Sequence, residues 1–278
     1  MNNPLVSVIC VCYNHAAFVD EALRSVAGQT WPQIQLIVVD DQSTDESPDI
    51  LRRLTATYPH MELLLLEQNI GNCRAFNRGL ALAKGEFVID LAADDLLEPE
   101  RIARGVALFE TAGPETGIQF SDAILISPDG KELGRHSDRF PHATIPQGDV
   151  YEHVIRRYFI CSPSMMMRKS MLDQLRGYDE TLAYEDFDIW VRGSRNHQFV
   201  YCPEALVRKR RVSGSLGQKQ SEWRSSHAAS TYQVCVKAKA LNRTESEWKA
   251  WRARIRYECW NSFRRGSWGL TWQYLRLL

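Results

Sequence analysis

Two aspartates stand side by side at the end of an apolar run, in GEFVIDLAADDLLEP (residues 85–99). Phe87 to Leu91 reads as a buried strand. Asp94 and Asp95 follow it, and open α/β sheets bind ligands at the carboxyl ends of their strands. Paired hard oxygen ligands there suit a divalent cation holding phosphates. A solvated acidic turn is the competing reading, and this stretch leaves both open. Glu98-Pro99 predicts a helix start, since proline suits the first turn and acids favour the positive end of a helix. A second acidic cluster, Tyr184-Glu185-Asp186-Phe187-Asp188-Ile189-Trp190, opens another predicted helix. Acids at that position stabilise a helix by about 0.3–1 kcal/mol, so Glu185 and Asp186 have a structural role available to them as well as a chemical one.

The elements that must carry these residues alternate regularly. VSVICVC (6–12) is a near-continuous apolar run, as expected of a central parallel strand. Tyr13-Asn14-His15 follows, then an amphipathic helix with Phe18, Val19, Leu23 and Val26 on its buried side and Gly28 as its stop. IQLIVV (34–39) predicts a second strand, ending in the capping-rich loop Asp40 to Asp45; a helix is expected from about 46 to 57. A third strand over 61–66, the turn Asn69-Ile70-Gly71-Asn72 and a helix through Leu82 lead into the opening strand. The first hundred residues therefore read β-α-β-α-β-α-β, a mostly parallel α/β sheet with helices on both faces. Neither GxGxxG nor GxxxxGK[ST] is present, which disfavours nicotinamide-dinucleotide and P-loop sites.

Beyond residue 99 the pattern loosens. A helix to about 111, a strand over 117–126, a Pro128-Asp129-Gly130 hairpin turn and an aperiodic stretch over 134–149 are expected. A short helix over 150–158, a strand over 164–167, a helix over 169–175 and strands over 199–201 and 205–212 complete the body.

The 278 residues are 44% apolar and 24% charged, and no apolar window is long enough to span a membrane. The N-terminus has no signal-peptide pattern. Seven scattered cysteines without a CxxC pair predict buried thiols in a reducing cytoplasm. The zero net charge hides a division. Residues 207–278 carry 16 Lys+Arg against 4 Asp+Glu, and six of the eight tryptophans, so an acidic body bears a basic, aromatic tail.

In their order and spacing, VSVICVCYNH (6–15), VVDDQSTDES (39–48), NIGNCRAFNRGL (69–80), GEFVIDLAADD (85–95) and YEDFDIW (184–190) resemble the family 2 glycosyltransferases, inverting enzymes of the GT-A fold. The resemblance covers roughly residues 4–216. It implies transfer of a sugar from a nucleotide-diphospho-sugar, with a UDP-sugar favoured, to a glycan or lipid-linked acceptor in bacterial surface polysaccharide synthesis. It places Tyr13, Asn14, Asp41, Arg74 and Asp94 at the donor. Tyr13 would stack on the base, and Arg74 would reach the diphosphate or form a plain surface ion pair. Asp94 and Asp95 would hold Mn²⁺ or Mg²⁺. Asp186 corresponds to the general base that takes the acceptor proton, with Glu185 as its alternative or its orienting neighbour.

Two departures qualify the match. Ala92 stands where relatives commonly have the first aspartate of an Asp-x-Asp pattern. VRKRRVSGSLG (207–217) lacks a histidine that relatives often carry, leaving Arg210 or Arg211 to supply positive charge. These departures motivate an alternative reading, a non-catalytic nucleotide-sugar-binding or scaffold protein.

The resemblance stops before the tail, so a domain over 1–217 and a helical extension over 218–278 are expected. Thr244 and Glu247 form a capping-box pattern, and Trp248, Trp251, Ile255, Cys259 and Phe263 recur at helical spacing, with Gly266 and Gly269 as stops. A basic helix with tryptophans suits the anionic inner face of a membrane. Packing on the body or a homodimer face would use the same stripe. No nucleic-acid recognition motif supports that partner.

Overall fold

The structure is a computed structural model that describes residues 3–140, 144–212 and 226–278. The predicted apolar runs form a central parallel block: β1 (Val6–Cys12), β2 (Ile34–Asp40), β3 (Glu62–Leu65) and β4 (Phe87–Ala92). They lie in the order β3-β2-β1-β4. The chain moves outward from β1 to β3 and then returns to the other side of β1. The β1/β4 seam is therefore the switch point of the sheet, and a crevice opens at the carboxyl ends of these two strands. Both acidic-cluster loops of the first hundred residues, after β2 and β4, face that edge.

The connecting helices are α1 (Val19–Ala27), α2 (Ser47–Thr57), α3 (Asn72–Leu80) and α4 (Arg101–Ala112). Strand alternation sorts the core into two layers. Ile9, Val11, Ile37 and Val39 pack with Phe76 of α3 on one face, while Val8, Cys10, Cys12 and Val38 pack with Leu23 of α1 and Leu51 of α2 on the other. Cys10 and Cys12 share a face, and all seven cysteines are free thiols, six of them buried.

The second half makes the sheet mixed. It contributes β5 (Leu96–Leu97), β6 (Thr116–Ile126), β7 (Glu132–Arg135), β8 (Met166–Arg168) and β9 (Gln198–Arg210). β8 runs antiparallel between β4 and β6, β9 runs parallel to β6, and β5 and β7 are antiparallel edges. Two predicted strands, 199–201 and 205–212, are one. Register shifts around Asp122 leave Pro203 and Glu204 unpaired between Cys202 and Ala205, so the bulge absorbs a proline that reads as a break. The helices α5 (Tyr151–Arg156), α6 (Lys169–Leu175) and α7 (Asp186–Gly193) lie near their predicted positions.

Three further helices follow: α8 (Ser226–Leu241), α9 (Glu245–Arg264) and α10 (Trp268–Leu277). The capping box forms: Glu247 N donates to Thr244 Oγ1 at 3.2 Å, and Thr244 N donates to Glu247 Oε2 at 3.0 Å. Gly266 stops α9 with φ +69°, whereas Gly269 sits inside α10. The expected stripe turns inward. Trp251 and Ile255 are buried in the same core as Val154 and Phe187, and the Trp251 indole donates to Cys235 O at 2.8 Å. Arg254 is buried over the rings of Tyr158 and Phe187. The tail thus shares a core with the body, and the expected boundary at 217 lies outside the described residues. A different set points outward: Tyr257, Trp260, Trp268, Trp272 and Leu275, joined by Phe263 from the expected stripe. Among the described residues, no helix is long and apolar enough to cross a membrane.

Candidate active site

Tyr13 leaves β1 at the crevice with 45% of its surface exposed, unlike the buried strand that precedes it. Asn14 turns with φ +58°, and its Oδ1 accepts from Thr44 N at 2.7 Å, so its carbonyl ties the β1 loop to the β2 loop. Asp40 caps the same loop, accepting from Ser43 N at 2.9 Å and Ser43 Oγ at 2.6 Å. Asp41 is buried, with Oδ1 taking Ile70 N at 2.8 Å and Oδ2 taking Gly71 N at 2.9 Å. Gly71 (φ +86°) allows the backbone to present both amides. Burial raises the Asp41 pKa, and those two amides oppose the shift. Each carboxylate oxygen retains a lone pair for a ligand donor. Arg74 is half exposed, with Nε 3.8 Å from Glu180, the geometry of a surface ion pair.

The neighbouring aspartates do different things. Asp95 turns into the β9 seam, where its Oδ1 accepts Arg210 N at 2.7 Å. Burial, then the Asp94 charge, push Asp95 up to about 8. Asp94 faces the crevice. Its Oδ2 lies 3.9 Å from His15 Nε2, and no described residue donates it a hydrogen bond. The expected two-carboxylate site is therefore one carboxylate, Asp94, that is largely buried without a hydrogen-bond donor among the described residues, and one committed to the fold. Among the described residues, no three His, Cys, Asp or Glu side chains converge as a metal cage. Asp94 fits a cation whose remaining ligands come from donor phosphates.

Arg210 holds the turn from beneath. Its Nε donates to Asp94 O at 2.9 Å, one Nη to Pro128 O at 2.8 Å and the other to Glu21 at 2.6 Å, above the Phe18 ring. It is a strut rather than a free charge. Lys209, on the preceding strand position, lines a cavity with Asp186. Burial opposes its charge, yet Cys161, Asp95, Asp186 and Asp94 together raise its pKa.

At the start of α7, Glu185 and Asp186 sit with a third carboxyl not anticipated from sequence, Asp90 of β4. Tyr178 OH donates to Asp90 at 2.9 Å, and Asn72 Nδ2 donates to Glu185 at 2.7 Å. Asp186 Oδ1 is buried without a hydrogen-bond partner, and Asp186 lines a cavity of about 370 Å³ that Glu185 does not line. Burial raises all three, Asp90 to about 7. A lone acid inside an apolar strand was the one sequence signal for Asp90.

A pH dependence follows. Asp90, Asp95, Glu185 and Asp186 have raised pKa values when folded, so the native state binds more protons than the unfolded chain from about pH 4 upward. The stability these acids contribute is therefore greatest in mild acid and is lost as pH climbs, through about 7 for Asp90 and about 8 for Asp95. Thermal melts of the unliganded protein at pH 5 and pH 8 should show this drop, and Asp90→Asn should shrink it. Equal midpoints at both values would contradict the burial described.

The family model described as glycosyl transferase family 2 matches residues 7–176. A Bacillus subtilis (strain 168) protein named for teichuronic acid biosynthesis, TuaG, is 26% identical over 246 residues, covering 88% of this chain and 92% of the relative. Other curated relatives are longer, the chain spanning 66% of two of them. Among solved structures, S. aureus TarS 1–349 in complex with UDP-GlcNAc superposes with a TM-score of 0.68 at 19% identity, over 94% of this chain and 73% of that one. The mannosyltransferase PcManGT from Pyrobaculum calidifontis, in complex with GDP-Man and Mn²⁺, gives 0.68 at 20% identity, over 96% and 74%.

Proposed function

The chain belongs to glycosyl transferase family 2 and has the GT-A fold, and from that premise we propose an inverting transfer from a nucleotide-diphospho-sugar to a hydroxyl acceptor, with Asp186 as base. What supports the reading most is the Asp186 carboxylate, buried, unpartnered at Oδ1 and lining a cavity beside Lys209. The acceptor oxygen bonds the anomeric carbon as the bond from that carbon to the diphosphate breaks. The electron pair leaves with the diphosphate, and the acceptor proton passes to Asp186. Tyr13 and Asp41 hold the nucleoside, and Lys209 lies between the Asp94 turn and Asp186 to balance phosphate charge. A divalent cation held at Asp94 supplies Lewis-acid charge to the leaving group when bound.

TarS was solved with UDP-GlcNAc and PcManGT with GDP-Man and Mn²⁺. By analogy the donor here is a UDP- or GDP-sugar, UDP preferred, used with Mn²⁺ or Mg²⁺, and the acceptor a glycan of a surface polysaccharide. Thermal shift across nucleotide-sugars with and without Mn²⁺ tests this. A stabilising donor, larger in shift with Mn²⁺ and slowly hydrolysed to free sugar, is expected. Tight nucleotide binding with no turnover of any donor would favour a scaffold instead.

We also place the outer face of α9 and α10 on an anionic membrane surface. Trp260, Trp268 and Trp272 are 58%, 65% and 62% exposed, and Lys249, Arg256 and Arg264 lie on the exposed side of α9. Amphipathic aromatic rings beside basic side chains suit a headgroup layer. Removing the tail would uncover Trp251, Ile255 and their partners, so point variants are the sound test. The triple variant Trp260→Ala, Trp268→Ala and Trp272→Ala should keep the fold and lose co-sedimentation with vesicles rich in phosphatidylglycerol. Unchanged sedimentation, or a wild-type dimer in light scattering that the variant abolishes, would reject the membrane assignment.

A further inference from the structure

The cavity beside Asp186 is unlike the donor end of the crevice. Its described lining includes His136, Arg139, Lys209 and Arg211, and Asp186 as its one carboxylate; Tyr13, Asp41, Arg74 and Asp94 do not line it. Arg139 and Arg211 are exposed and form no ion pair among the described residues, although Arg139 lies 5.4 Å from the Phe140 ring centroid. Arg210 also lines the cavity, but Glu21 and three carbonyls occupy its guanidinium.

Two carboxylates close in sequence to His136 and Arg139 are engaged by other groups. Asp122 accepts Ser137 N at 3.0 Å and Ser137 Oγ at 2.7 Å, and Asp138 accepts Arg135 N at 2.6 Å. His136 sets Nε2 3.0 Å from Phe159 O, and burial lowers its pKa, so it adds no charge near neutrality. Among the described residues, Asp95, Asp186 and Asp94 all act on Lys209, which leaves Arg139 and Arg211 as two uncompensated positive charges at the cavity. A phosphate ester carries about −1.5 to −2 at pH 7 and matches that excess; a carboxylate leaves one charge uncompensated. Guanidinium groups also fit phosphate oxygens in pairs.

We infer that the acceptor carries a phosphate group, which Arg139, Arg211 and Lys209 hold in this cavity while the acceptor hydroxyl is presented to Asp186. The inference rests on the proposed transfer for its use of the word acceptor, but the phosphate site can be tested without turnover. In the proposed transfer the donor diphosphate lies against Asp94, which does not line this cavity, so the two anions have separate places.

The test is calorimetric titration with glycerol 3-phosphate, glycerate and glycerol into the full chain saturated with UDP and Mg²⁺. Glycerol 3-phosphate should bind more tightly than glycerate, and glycerol should not bind. The double variant Arg139→Gln and Arg211→Gln should weaken glycerol 3-phosphate by about tenfold or more and leave UDP affinity unchanged. Equal affinity for all three probes would overturn the assignment, as would an unaffected double variant. A parallel loss of UDP affinity would instead give these arginines to the donor diphosphate. If UDP itself does not bind, the donor reading fails, and the same titrations on the unliganded chain still decide the phosphate site.

Discussion

Asp186→Asn will fold, bind donor nucleotide and lose sugar transfer. A positioned general base contributes about 10²–10⁴ in rate, and an amide cannot accept the proton. Binding should survive because Asp186 holds neither residue proposed to contact the nucleoside: Asp41 is fixed by the 70–71 amides just before α3, and Tyr13 sits on the loop after β1. Stability should hold or rise at pH 8, since Asn carries no charge to desolvate where Asp186 is buried beside Glu185 and Asp90. Glu185→Gln is the companion measurement. Glu185 is anchored by Asn72 and does not line the cavity, so its neutralisation should cost less in rate. Near-full transfer by Asp186→Asn would sink the assignment; full loss in Glu185→Gln with activity retained in Asp186→Asn would exchange the two roles.

The regular half of this fold is legible because burial on both faces of a parallel strand writes itself as an apolar run. VSVICVC, IQLIVV and FVIDL mark β1, β2 and β4, and the loops that follow them carry the polar clusters. The second half was less legible where a long-range partner decides the outcome. Pro203 reads as a strand end, yet a bulge opposite Asp122 carries β9 through it. Asp94 and Asp95 look equivalent in sequence. What separates them is the Arg210 backbone amide, more than a hundred residues away, which claims Asp95 and leaves Asp94 to the crevice.

The same applies to charge. Sequence marks VRKRR as basic but cannot say which side chain faces which space. Lys209 and Arg210 both line the cavity, but Arg210 commits its guanidinium to the acidic turn and Glu21. In the tail, 3–4 spacing correctly marks Trp251 and Ile255 as one face. It does not reveal that this face belongs to the body's core, or that the outward face is also aromatic.

Arg210→Met is the substitution that tests how far the acidic turn depends on that hidden contact. Arg210 is 4% exposed and donates to the carbonyls of Asp94 and Pro128 and to Glu21. Methionine keeps the packing on Phe18 and removes every donor. Each carbonyl left without a partner costs about 1–3 kcal/mol. Glu21 is more than half exposed at its side chain and returns to water at little cost. The expected loss is therefore about 1–3 kcal/mol in urea unfolding, chiefly from the buried Asp94 carbonyl, since Pro128 is exposed and its carbonyl can return to water. A functional consequence should accompany it. With Asp94 O released, the turn that aims the Asp94 carboxylate loosens, so the Mn²⁺-dependent part of donor binding should weaken more than the metal-independent part held by Tyr13 and Asp41. Arg211→Met is the control, because Arg211 is exposed at the cavity rim and its substitution should leave stability within about 0.5 kcal/mol. If Arg210→Met unfolds with the wild type, or Arg211→Met falls with it, the strut is not what holds Asp94 in place.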